Sequence, residues 1–411
     1  MSGKVSIKED TIIRFTNVRL VKDGRISAQD LWIQNGKILN PEPVFYDQRK
    51  LADVNIDCSQ MIIAPGYIEL QINGGFGYDF SNAQVDMEKA IKVVSTGLVK
   101  HGVTSFCPTL VTQPASNYGV LLPRIKRGTI ERGANVLGVH LEGPFISVEK
   151  KGAHPKEYIQ TGPLQSIERI ESIYTDLSNV SIITVAPELD SNNVIKHLAE
   201  KKSLIVSLGH STANLSDSER AFRNGAKMIT HLFNAMPLFH HRDPGLLGLL
   251  TLDNERQVYY GIIADGIHTH YSALRLAYHA NRLGMVLVSD AISATGLESG
   301  IHMIGTQKIE IKENRAYVAG TDTLCGSIAL LDDCVKYMRQ MVGCPTVEAI
   351  ECATLHPAKA LGIESHKGTL NYGADADFII LNDELDVLAT FVAGKCVFVS
   401  DICQLLLSIL E

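Results

Sequence analysis

Eight short apolar runs recur through the middle of the chain: Tyr67 to Ile72, Ser105 to Leu110, Val136 to Leu141, Ser181 to Ala186, Leu204 to Leu208, Met228 to Leu232, Val258 to Ala264 and Val286 to Ser289. Helical stretches separate them. Near-continuous apolar strands alternating with helices are the pattern of a parallel sheet buried on both faces. Eight such strands close a (β/α)8 barrel, whereas a doubly wound open sheet would use the same alternation. The polar residues that follow the runs favour the barrel, because they belong at a common C-terminal mouth: Gln71, Glu142, His210, His231, Asp265 with His268, and Asp290.

The flanks follow a different period. From about Ile12 to Ile63, β-prone runs such as Ile12 to Phe15 and Leu31 to Gln34 alternate with the turn signals Lys22-Asp23-Gly24 and Gln34-Asn35-Gly36. Strand patterns return at Ala376 to Leu381 and from Val387 to Val399, around Ala393-Gly394-Lys395. The two ends are therefore expected to form one small β-sandwich domain, from residues 1–64 and 358–411, around a barrel domain of residues 65–357. The apolar stretch Ile402 to Leu410 is too short for the ~20 residues of a membrane helix and reads as a packed terminal helix or strand.

Composition narrows the function classes. With 411 residues, 45% of them hydrophobic and 20% charged, the chain can bury a large core. A formal charge of −7 argues against a general nucleic-acid or anionic-membrane binder, so an anionic substrate needs a local basic pocket. The eight cysteines form no CxxC pair, and the start Met-Ser-Gly-Lys-Val-Ser lacks the apolar core of a signal peptide. Reduced thiols in the cytoplasm are expected.

Glu142, His210 and His231 each sit at the mouth of a different strand, in His140-Leu-Glu-Gly-Pro-Phe145, Gly209-His-Ser-Thr212 and Thr230-His-Leu-Phe-Asn-Ala-Met236. One carboxylate and two imidazoles can hold a divalent transition metal and leave a position open for water. Metal ligation lowers the pKa of water from 15.7 toward ~7, and a neighbouring carboxylate can then take its proton. Asp290, in Val286-Leu-Val-Ser-Asp-Ala291, is the candidate general base, with a helix N-cap as its structural alternative.

These blocks, with Pro65 to Gly74, Lys151-Gly-Ala-His-Pro155, Ala264-Asp-Gly-Ile-His268, Lys367 to Leu370 and Gly373 to Asp377, resemble the N-acetylglucosamine-6-phosphate deacetylases of the amidohydrolase superfamily over essentially the whole chain. Many superfamily members carry a metal-binding His-x-His after the first strand, where Glu69, Leu70 and Gln71 stand here, and no lysine ends the fourth run at Ala186-Pro187-Glu188. A neutral amide is a poor ligand for a borderline metal, so one divalent transition metal per subunit is expected rather than a binuclear centre; Glu-His-His can hold zinc, iron, manganese or cobalt, with zinc the expected ion.

The resemblance implies further roles. His154 contacts the acetyl carbonyl oxygen, with Ala153 beside it. Asn234, Ala235 and His268 line the sugar. Arg242, in His240-His-Arg-Asp-Pro-Gly245, binds the 6-phosphate, and it does so in the active site of a neighbouring subunit, so a homodimer is implied. Thr323-Leu324-Cys325-Gly326-Ser327 resembles the closing loop, with Cys325 where many members carry Ala. The implied reaction is hydrolysis of N-acetylglucosamine 6-phosphate. Another amidohydrolase-type deacylation or deamination, or a non-catalytic scaffold of the same fold, are the competing readings.

Overall fold

The computed structural model describes residues 10–47, 49–252, 256–304, 307–313, 315–322 and 324–403. Eight parallel strands form the centre: β1 (Tyr67–Ile72), β2 (Val103–Val111), β3 (Val139–Glu142), β4 (Val180–Val185), β5 (Ile205–Leu208), β6 (Met228–Ile229), β7 (Tyr259–Ile262) and β8 (Met285–Leu287). Each pairs with its neighbours in chain order from β1 to β8. Every apolar run read from the sequence overlaps one of them.

The ring is closed by other means where β8 meets β1. At the mouth, Ile72 bridges Ala291 in parallel, and the Asp290 N–H donates to the Gln71 carbonyl at 2.9 Å. At the other end, residues 352 and 353 fill the gap: Leu287 N–H donates to the Cys352 carbonyl (2.9 Å) and Ile68 N–H to the Ala353 carbonyl (2.8 Å). Between these, the buried Glu69 carboxylate accepts from the N–H of Gln71 (2.9 Å) and of Ser289 (3.0 Å), a side chain replacing missing ladder bonds. Burial pushes that carboxyl up to about 7.

Helices cover the barrel with one apolar stripe. In Met87–Leu98, Asp86 caps the first turn by accepting from Lys89 N–H, and Met87, Ala90, Ile91, Val94 and Leu98 are buried at helical spacing. The helix Leu355–Leu361 places Ala358 and Ala360 in one cluster with Ile68 and Leu70 of β1. It runs through residues 357 and 358, across the boundary expected from the sequence.

Strands from both chain ends share one six-stranded sheet, in the order Lys395–Val399, Val387–Val392, Phe378–Leu381, Ile62–Pro65, Arg19–Lys22 and Arg25–Ala28. A four-stranded sheet of Lys37–Ile38, Leu31–Gln34, Ile13–Thr16 and Val54–Asp57 contributes to the same core, where Phe15 lies edge-on to the stacked pair Phe378 and Phe391. The Asn35-Gly36 turn takes positive φ at both residues (51° and 72°), the backbone that a two-residue hairpin needs. The expected terminal helix or strand lies largely outside the described residues, which end at Cys403.

One element escaped the sequence reading. After β8 the chain forms an antiparallel sheet of Gly300–Ile304, Gln307–Lys312, Arg315–Val318 and Leu324–Gly326. Its last strand leads into Ser327, whose carbonyl accepts from Ile292 N–H at 2.9 Å, next to Asp290 at the barrel mouth.

Candidate active site

The barrel mouth gathers Glu142 from β3 with His210 and His231 from the turns after β5 and β6. All three are buried. The Nε2 atoms of His210 and His231 each lie 2.9 Å from Glu142 Oε1 and 2.9 Å from each other, so three ligand atoms form an equilateral triangle. A triangle of that size would suit an ion at the ~2.0–2.2 Å typical of zinc with nitrogen and oxygen ligands. Burial would raise the Glu142 carboxyl, but the hydrogen bonds and charge of the two histidines hold it well below the usual range.

Tautomers sort the ligands. His210 Nδ1 lies 2.8 Å from the Lys150 carbonyl, which can only accept, so that nitrogen carries a proton and Nε2 is the atom that would offer its lone pair to a bound ion. His154 is arranged the other way round. Its Nδ1 receives the Thr112 backbone N–H (3.3 Å) and lies 2.7 Å from the Thr112 hydroxyl, which puts the proton on Nε2, 4.0 Å from Glu142 Oε1. Glu142, His154 and His210 also lie close enough to suggest a metal group. A backbone donor at Nδ1 nevertheless favours His154 as a hydrogen-bond donor into the site rather than a ligand. Burial, then the charge of His210, pushes His154 down to about 3, so the donor is a neutral imidazole.

Gly143 keeps this arrangement possible. Its φ is +77°, and a Cβ there would collide with the Thr112 hydroxyl that orients His154.

Asp290 completes the group. Residues 291–299 directly after it form a bridge and turns rather than a helix, so it is not an N-cap, and its carboxylate instead accepts from Asn73 Nδ2 (2.8 Å) and Gln71 Nε2 (3.3 Å). Gln71 Nε2 also donates to Glu142 Oε2 at 3.0 Å, linking Asp290 to Glu142. Burial and the Glu142 charge push Asp290 up to about 7. His210, His231 and Asp290 all have positive φ (49°, 28° and 47°), a backbone costing about 1–3 kcal/mol each that persists where the surroundings hold it.

The strand β1 pair corrects the sequence reading. The side chains that reach the cluster are Gln71 and Asn73, one alternation beyond the Glu69 and Gln71 assigned to the vacated His-x-His. Glu69 is used in the β1–β8 seam instead. Period-2 alternation puts 69, 71 and 73 on one face, and only the strand register decides which two stand at the mouth. Both are amides, so the case against a second tightly held metal is strengthened.

The remaining expected residues lie in the segments that follow the barrel strands. His268 Nδ1 lies 2.6 Å from Asp265 Oδ2, and both line a cavity of about 650 Å3 together with Leu324 and Gly326. Cys325 is half-buried beside them, and Thr323 lies outside the described residues. Asn234 and Ala235 are half-buried in the loop after His231, while Ala153 and Arg242 are exposed on loops around the mouth. No hydrogen bond or ion pair among the described residues joins Arg242 to the cluster.

A barrel of this topology, with one acid and two histidines gathered at its mouth in a cluster compatible with a single metal site, has the architecture of the amidohydrolase class of hydrolases. The sequence profile of the amidohydrolase family matches residues 62–397, and the chain belongs to that family. Within it, the chain is 50% identical over 403 residues to N-acetylglucosamine-6-phosphate deacetylase of Danio rerio, covering 97% of this chain and 100% of the relative. It is 48% identical to the Homo sapiens protein of the same name, covering 98% and 99%. The structure of a mutant of the Mycobacterium smegmatis deacetylase in complex with N-acetyl-D-glucosamine-6-phosphate superposes with a TM-score of 0.78 at 26% identity, covering 94% of this chain and 99% of that one.

Proposed function

We infer that the protein hydrolyses N-acetyl-D-glucosamine 6-phosphate to D-glucosamine 6-phosphate and acetate in amino-sugar metabolism. The observation that carries this reading is the convergence of Glu142, His210, His231, His154 and Asp290 at one mouth, in a chain similar end to end to deacetylases of that name. Glu142, His210 and His231 would hold one divalent metal, zinc by assignment, which supplies Lewis-acid polarisation and acidifies water when bound.

Asp290 takes a proton from the attacking water as the water oxygen bonds to the acetyl carbon. The carbonyl π electrons move onto the oxygen, where the neutral Nε2–H of His154 stabilises the developing charge. Collapse of that adduct breaks the C–N bond, and Asp290 returns its proton to the departing amine. His268, with Asn234 and Ala235, lines the sugar. A cytoplasmic location belongs to the same reading, for an enzyme acting on a small molecule; among the described residues no helix is long and apolar enough to cross a membrane.

The test is metal content together with turnover. One equivalent of transition metal per chain and hydrolysis of the phosphorylated sugar are expected. Two tightly bound equivalents would refute the mononuclear assignment, and equal activity on unphosphorylated N-acetylglucosamine would favour a different deacylase.

Arg242 is proposed to bind the phosphate of a neighbouring subunit. It is exposed in the single chain, beside the exposed apolar residues Leu238 and Phe239, at 91% and 67% of their full accessibility, which suits a loop that meets a second copy. Charge-assisted bonds are worth ~1.5–3 kcal/mol, so Arg242→Ala should lower kcat/KM about ten- to a hundredfold, mainly through KM, and erase discrimination against the unphosphorylated sugar. In a mixed dimer of Arg242→Ala with Asp290→Asn, supply in trans leaves one site with both defects and one with neither. If no site combines normal selectivity with normal turnover, the arginine acts within its own chain.

A further inference from the structure

At the mouth of β4, the position directly after Ala186-Pro187 carries a carboxylate that takes no part in the reaction derived above. Glu188 reaches across to the turn after β5. Its Oε2 accepts from the Ser211 hydroxyl at 2.6 Å, and its Oε1 accepts from both the backbone N–H (2.7 Å) and the hydroxyl (2.9 Å) of Thr212. Three donors from two consecutive residues thus end on one side chain. Those residues directly follow His210.

The turn needs such a hold. His210 has a φ of +49°, unfavourable for a residue with a Cβ, and its imidazole must point Nε2 at the ligand triangle. Other contacts fix the preceding side: Ser147 N–H donates to the His210 carbonyl (2.8 Å), and His210 Nδ1–H donates to the Lys150 carbonyl (2.8 Å). Glu188 fixes the following side. Ser211 carries the constraint onward, because its N–H donates to the Ala235 carbonyl (3.2 Å) and its hydroxyl oxygen accepts from Ala213 N–H (2.9 Å). Ala235 has positive φ as well (51°) and belongs to the loop after His231. One carboxylate therefore links the turn carrying one proposed ligand to the loop following another.

We propose that Glu188 is a positioning residue for the metal site: it clamps the Ser211–Thr212 turn so that His210 and the loop of Ala235 hold their places before any ion arrives. The inference rests on the metal-site reading given above. It assigns the end of the fourth strand an outer-shell role in this chain, and such partners typically set metal affinity within a factor of about 10–100.

The geometry distinguishes a clamp from a charge. Glutamine can keep the contacts, since its Oε1 accepts both Thr212 donors while its amide donates to the Ser211 hydroxyl oxygen. Alanine loses all three. The experiment measures cobalt(II) binding by chelator competition, and the visible spectrum of the bound cobalt, in the parent protein, Glu188→Gln and Glu188→Ala. Glu188→Ala should weaken cobalt binding about 10–100-fold and alter the ligand-field bands, whereas Glu188→Gln should stay within about threefold of the parent.

Should Glu188→Ala fail to fold by circular dichroism, the double variant Ser211→Ala, Thr212→Val removes two of the three bonds from the turn and is expected to weaken binding in the same direction. Unchanged affinity and spectrum in a folded Glu188→Ala protein, or in that double variant, overturn the proposal. Equal losses in Glu188→Gln and Glu188→Ala overturn the clamp as well, because charge would then be what matters. A parent protein that binds no cobalt removes the metal reading and this inference together. Binding by the parent and equally by the alanine variant removes the inference alone.

Discussion

Asp290→Asn is expected to retain the metal and the fold while kcat falls by at least ~10²–10⁴, the usual contribution of one general acid–base group. In the proposed mechanism one residue has both roles, so the loss should lie at the upper end or beyond. The amide is nearly isosteric, and its oxygen can still accept from Asn73 and Gln71 as the carboxylate does at 2.8 and 3.3 Å. What disappears is the ability to take a proton. Burial and the Glu142 charge move the Asp290 carboxyl upward, to a range where accepting and returning a proton are both feasible near neutrality. The protonated carboxyl cannot act as base, so kcat/KM of the parent should fall as the pH drops through that range, and the residual activity of the variant should lack that limb. Near-parental turnover by a variant of verified metal content would end the case for Asp290.

The sequence made the barrel legible because each strand is buried on both faces and ends in a polar residue at the mouth. Burial on both faces gives runs that stand out even where the strand is only Met228–Ile229. Glu142, His210, His231 and Asp290 were legible for the same reason, as strand-end chemistry. The sheet between Gly300 and Gly326 was not. Its Ile301 is exposed while Ile309 and Ile311 are buried, so it is a half-covered layer whose weak alternation resembles that of a loop.

Positioning residues were also hidden. Thr112, Lys150, Asn73 and Glu188 act through partners 42, 60, 217 and 23–24 residues away, and no local spacing encodes such pairs. Below the site, His140 Nδ1 meets the Leu70 carbonyl (3.0 Å) and its Nε2 meets Thr184 (2.8 Å), continuing through Thr230 (2.8 Å) to Ser207 (2.6 Å). This buried row crosses from β1 to the end of β6, and in sequence its members look like ordinary core polar residues.

His231→Ala and His154→Ala should separate ligand from donor. Both side chains are buried beside Glu142 and His210, and proximity alone does not rank them. His231 Nε2 touches both other ligand atoms at 2.9 Å, while its Nδ1 has no hydrogen-bond partner, so the ring is aimed at the triangle and nothing else in the described structure accounts for it. Its Nε2 is the atom that would meet a metal once its proton has left. The His154 lone pair is already committed to Thr112, leaving only an N–H to offer. His231→Ala should therefore weaken metal binding by at least ~100-fold, more than a lost outer-shell partner costs, with activity falling to background in proportion to metal content. His154→Ala should keep its metal while kcat drops ~10²–10³, the cost of removing one donor to a developing oxyanion. Metal analysis after dialysis against a weak chelator, with turnover measured on the same samples, reads both. If His154→Ala loses its metal and His231→Ala keeps it, the ligand set is Glu142, His154 and His210, and the oxyanion donor must be sought elsewhere.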